Sequence, residues 1–103
     1  MSEQLNDKAQ PSWLQLSDSG AVVRLKGKAT ICGIETDQVT MRAPTIKDVR
    51  AAQKVAGDDE NTADAVLFAS LLGASQADVE GLLVVDYNRV QRAYFRLVQD
   101  DGL

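Results

Sequence analysis

Arg89, Arg92 and Arg96 recur at helical spacing near the C-terminal end of the chain, with Phe95 among them. A guanidinium is a planar fork of donors that grips carboxylates in pairs, so such a stripe suits docking to an acidic or helical partner. The same stripe equally suits a solvated face whose long stems cover apolar neighbours. Phe68 and Leu72 form a second candidate contact, on a segment apolar almost all the way round. Little else could carry chemistry. There is no histidine, the commonest general base and metal ligand. Cys32 is the sole cysteine, so neither a thiol dyad nor a zinc cluster can form. Asp58, Asp59 and Glu60 lack the glycine-centred spacing of a calcium loop, and no phosphate-cradling glycine loop is present. The residues assign no catalysis, metal or cofactor.

These side chains need elements to hold them. Trp13-Leu14-Gln15-Leu16 is a short apolar patch that reads as a strand or a cap on the core. Ser17 to Gly20 form a turn cluster, after which Val23, Leu25, Ala29 and Ile31 alternate, with an irregularity at Gly27. Cys32-Gly33-Ile34 turns the chain, and Val39 and Met41 alternate again. This is a β-hairpin with one apolar face, which needs helices to lean on. Cys32 itself reads either as a small buried apolar residue or as a reactive thiol.

Helical periodicity takes over at Thr45, which pairs with Asp48 in a capping-box pattern. Ile46, Val49, Gln53 and Ala56 make a narrow stripe with Val55 beside it, and Gly57 stops the helix. The acidic link Asp58-Asp59-Glu60 sits at the positive end of the next helix dipole. That helix runs from Asn61 to Leu72 and ends at Gly73. Apolar on every side, it is either sandwiched inside the domain or it turns Phe68 and Leu72 out towards a partner or a second copy. Ser75 and Asp78 start a short third helix through Leu82. Asp86 is the expected N-cap of a last helix to about Gln99. Its inward stripe is Tyr87, Val90, Ala93, Tyr94, Leu97 and Val98, with Phe95 at the margin and the arginines opposite. The expected class is α+β, an N-terminal β-hairpin followed by a compact bundle of three or four helices. A flexible tail (1–12), one domain (13–99) and a short C-terminal tail (100–103) complete the organisation.

At 103 residues the chain can bury one modest core. A net charge of −4 repels phosphate and anionic lipid, weighing against a general nucleic-acid or membrane role. A lone cysteine suits a reducing cytoplasm, and no apolar run approaches the roughly 20 residues that span a bilayer. Ala69, Gly73 and Val79 have helix-turn-helix spacing, which would put residues 75–84 in a DNA major groove. That segment carries two carboxylates and no lysine or arginine, the reverse of what phosphate binding needs.

The ordered motifs resemble those of the small tail assembly chaperones of Mu-like and P2-like contractile-tailed phages. Arg42-Ala43-Pro44-Thr45 with Asp48 looks like that family's strand-to-helix junction. Leu71-Leu72-Gly73 with Ser75, Asp78 and Val79, then Leu82, then Asp86-Tyr87 with Val90, look like its later signature. The resemblance covers roughly residues 21–98 and does not account for Trp13. It implies a holdase for the tape measure protein, with the tail tube protein as a further partner and a homo-oligomer as one assembly state. It also implies residence in the bacterial host cytoplasm, absence from the mature virion, and in many members a frameshifted longer form. The competing classes are a structural tail or head-completion protein kept in the particle and a helix-turn-helix regulator.

Overall fold

A computed structural model describes residues 11–99, so most of both expected tails lies outside the described residues. Three strands, β1 (Leu14–Ser17), β2 (Gly20–Ile31) and β3 (Ile34–Arg42), form an antiparallel sheet in the order β1-β2-β3. The expected hairpin is β2–β3, and the Trp13–Leu16 patch supplies the added edge strand. Register explains the core. Leu14 pairs with Val23 and Val23 with Val39, while Leu16 pairs with Ala21 and Ala21 with Met41. Each row places its apolar side chains on the same face, because side chains alternate along a strand. Leu14, Ala21, Val23, Val39 and Met41 are all buried there.

The β2–β3 turn has two residues, and both have positive φ: Cys32 at 54° and Gly33 at 82°. That is the mirror-image turn whose twist matches the strands. Cys32 is therefore exposed at the hairpin tip rather than buried, correcting the expectation of a small core residue. Its Sγ lies 3.2 Å from the Gly73 carbonyl, and its backbone N–H donates to the Asp78 carboxylate at 3.0 Å. The hairpin tip is thus tied to a helix corner.

Four helices follow: α1 (Ile46–Ala56), α2 (Glu60–Leu72), α3 (Gln76–Glu80) and α4 (Val84–Val98). Thr45 and Asp48 cap α1 reciprocally, Asp59 caps α2 by accepting from Asn61 and Thr62, and Ser75 and Asp78 cap α3 reciprocally. The Arg42 guanidinium grips both oxygens of Asp48 at 2.6 and 2.8 Å, so the β3-to-α1 corner is stapled from both sides. The expected α1 stripe is only partly right. Ile46 and Val55 are exposed, while Ala52 is buried and Val49 packs half-buried on the core, because α1 touches chiefly α2 and turns only that face to it.

Helix α2 is the centre of the core. Ala65, Leu67, Phe68, Ala69 and Leu71 are buried between α1, α3 and β3. The Phe68 ring packs against Tyr87 and Tyr94 of α4 at 5.6 and 5.4 Å between centroids. Phe68 is 2% exposed, so it faces inward, against the outward alternative, and Leu72 is half-buried against the same core. An all-apolar helix is covered by its own domain.

Truncating Phe68 to alanine would leave a void between the Tyr87 and Tyr94 rings. A loss of about 3–5 kcal/mol is expected, to be read from urea denaturation monitored by circular dichroism. Acid should act at the corners. Hydrogen bonds hold Asp48 (chiefly from Arg42), Asp59 (from Thr62) and Asp78 (from the Cys32 and Ser75 amides) below the ordinary 3.8 of an aspartate. Their contribution is present above that value and drains away as the pH falls towards their lower folded values. Asp64, raised by burial and by Glu60, opposes this trend. The urea midpoint is expected to fall between about pH 4 and pH 2, and to fall less in Asp48→Asn.

Candidate partner-binding surface

Helix α4 carries the expected arginines, and its seat on β2 decides where they point. In β2 the ladder is interrupted: Arg24 pairs with Gln38 and Ala29 with Thr36, so residues 25–28 stand opposite Asp37 alone. A bulge of this kind leaves backbone groups without ladder partners. Asp86 supplies them. Its carboxylate accepts from the Lys26 N–H at 2.6 Å and the Gly27 N–H at 3.1 Å, and the residue is fully buried. Arg89, one turn along, donates from Nη1 to the Arg24 carbonyl at 2.8 Å. Gly27 leaves room for this approach, since a Cβ there would meet Leu83 Cδ1 at 2.5 Å.

Asp86 is therefore not the N-cap of the last helix. Helix α4 begins at Val84 with Leu83 in the cap position, and no side chain caps it. The carboxylate is spent across the fold instead of along the helix.

With Asp86 and Arg89 fixed on β2, Val90 and Ala93 bury beneath α4, while Val84, Val85, Phe95 and Val98 remain exposed. Val98 was expected inward and is half exposed. Phe95 leans on Tyr94 at 5.9 Å, and Tyr94 on Phe68, so a line of rings runs from core to surface. Trp13 comes alongside from the start of β1, its carbonyl accepting from Arg24 N–H at 2.8 Å. The Arg89 guanidinium lies 5.2 Å above the Trp13 ring, a cation–π contact.

Between Trp13 and Phe95 lies a groove of about 620 Å³ lined by Val85, Arg89 and Arg92, with the amides of Asn88 and Gln91 completing it. It brings together Phe95, Arg89 and Arg92 of the sequence candidates. Arg96 lies by a neighbouring hollow of about 330 Å³ near Leu16 and Leu97, with Asp18 lining the same hollow. Phe68 and Leu72 belong to the core. Trp13 is the residue that sequence reasoning missed, and its being the only tryptophan was the one available signal. Among the described residues, no group of three or more His, Cys, Asp or Glu is placed to hold a metal ion. No described helix is long and apolar enough to cross a membrane.

Residues 23–99 match the family described as phage tail assembly chaperone proteins, E, or 41 or 14. The chain belongs to that family. No curated protein and no solved structure matches it. The match spans β2 to α4 from Val23 onward, so it includes both clamp residues and the arginine side of the groove, while Trp13 lies outside it. The competing DNA-reading geometry is poor in this chaperone. Helix α3 has five residues, about 7.5 Å of helix, and its Asp78 is engaged with Cys32 and Ser75.

The clamp has a direct test. Asp86→Ala removes the acceptor from two bulge amides and should cost about 1–3 kcal/mol. Amide hydrogen exchange should accelerate specifically at Lys26 and Gly27. A helix-cap role would instead expose amides at the start of α4.

Proposed function

We infer that this tail assembly chaperone binds the tape measure protein stoichiometrically during tail morphogenesis, with the tail tube protein as a second client. It works in the cytoplasm of the bacterial host and leaves before the virion is complete. The reading assigns it no catalysis, no cofactor and no nucleic-acid partner. Family membership over residues 23–99 carries this reading. The surface supports it: exposed Val84, Val85, Phe95 and Val98 lie on one helix of a chain whose net charge is −4. Exposed apolar side chains along one helix of a charged body suit reversible shielding of a sticky partner.

Co-expression with the tape measure protein of the same phage or prophage tests it. A complex of defined stoichiometry is expected on affinity capture and native mass measurement, with no DNA retained at physiological salt. Absence of a complex would overturn the client. Recovery of the chain from purified virions at tube-like copy number would move it to the structural class.

A further inference from the structure

We propose that the groove between Trp13 and Phe95 receives an acidic amphipathic helix of the client, an assignment that rests on the client-binding role above. The groove combines two properties that rarely need each other on an inert surface. Its walls are apolar: the Trp13 ring on one side, Phe95 on the other at 51% exposure, and Val85 on the same helix. Its charge is of one sign. Among the described residues Arg89 and Arg92 line it and no carboxylate does, in a chain where 15 acidic residues outnumber 11 basic ones.

The arginines differ in how they are employed. Arg89 is committed to the fold, held between the Arg24 carbonyl and the Trp13 ring, and so fixes one wall. Arg92 is exposed and Arg96 partly exposed, and no hydrogen bond or ion pair ties either to another described residue. The Arg92 guanidinium, in a groove with no carboxylate among the described residues and beside exposed aromatic surface, complements an acid on something else. Aromatic and arginine side chains together are also the residue types that anchor interfaces.

Spacing selects a helix as the occupant. From Arg89 to Arg92 to Arg96 the steps along α4 are about 4.5 and 6 Å. A second helix laid alongside repeats its own side chains at the same steps through positions i, i+3 and i+7. Carboxylates at that interval would reach Arg92 and Arg96 while an adjoining aliphatic stripe enters between Trp13 and Phe95. A strand repeats each face at about 6.6–6.8 Å, a looser match to the Arg92–Arg96 step and to the roughly 4.5 Å step before it.

Trp13 is the only tryptophan, so occupancy of the groove reports through its fluorescence. Overlapping fragments of the tape measure protein are titrated into the full chain, alongside copies with Asp and Glu changed to Lys. An acidic fragment is expected to shift Trp13 emission, and its charge-reversed copy is not. Arg92→Glu should weaken binding about tenfold or more, and the charge-reversed fragment should recover it. Phe95→Ser should weaken binding similarly, with circular dichroism reporting that both variants are folded. Arg92→Glu, at an exposed site, decides the matter if Phe95→Ser does not fold. Capture of the tape measure protein with unchanged Trp13 emission and undiminished binding by the variants would overturn the groove and leave the client role standing. Failure of the native chain to capture the tape measure protein at all would overturn both. A Trp13 shift saturated by single-stranded DNA at physiological salt, or a dimer dispersed by Arg92→Glu, would assign the face to another occupant and overturn the inference.

Discussion

The buried carboxylate of Asp86 is the contact on which the arrangement of this domain depends. A bulge in β2 strips Lys26 and Gly27 of ladder partners, leaving two part-buried amides that need another acceptor. Asp86 meets both amides from the neighbouring layer. Two bonds from one side chain to adjacent amides of a strand hold the helix bearing it in one rotation. That rotation sends Val90 and Ala93 down into the core and Phe95 out. Surface and interior are thus two results of one side chain placed against one defect in a sheet.

Around this clamp, the domain closes by tying each corner to a distant element. Arg42 reaches Asp48 at the junction of β3 and α1, and Asp78 reaches the hairpin tip at Cys32. Asp48 and Asp78 also cap their own helices. A single carboxylate therefore sets both where a helix starts and what that start lies against. This double use gives a physical reason for the spacing of Arg42, Thr45 and Asp48 and of Ser75 and Asp78: the intervals are the geometry of corners.

Much of the architecture was legible because it is local. Period-two alternation up to Met41 and capping pairs after Pro44 depend on neighbours within a few residues, and they gave the sheet, α1, α2 and α3. The resemblance to tail assembly chaperones held for the same reason, since those motifs are corner motifs. What failed was non-local. An aspartate ahead of an apolar helical run looks like a cap whether it bonds along the helix or across to a strand 60 residues away. Cys32 looked like a core residue because its composition says nothing of a turn that demands positive φ. Ile46 and Val55 looked inward because the periodic stripe extended beyond the face, Val49 and Ala52, that α1 turns to α2. The arginine face was readable, but a groove made with Trp13 was not, since nothing in either segment announces the other.

The separation between the clamp's two halves also sets a clock. The amides of Lys26 and Gly27 leave the ribosome about 60 residues ahead of the carboxylate that receives them. At synthesis rates of about 5–20 residues per second, that is an interval of about 3–12 s. A hairpin with a two-residue turn forms in about 1–10 μs, so β2 and β3 pair long before α4 exists. Throughout that interval the apolar row of Leu14, Val23 and Val39 lacks its helical cover, and water serves the bulge. For some seconds of its own synthesis, a protein of the chaperone class is itself a chain in need of shielding.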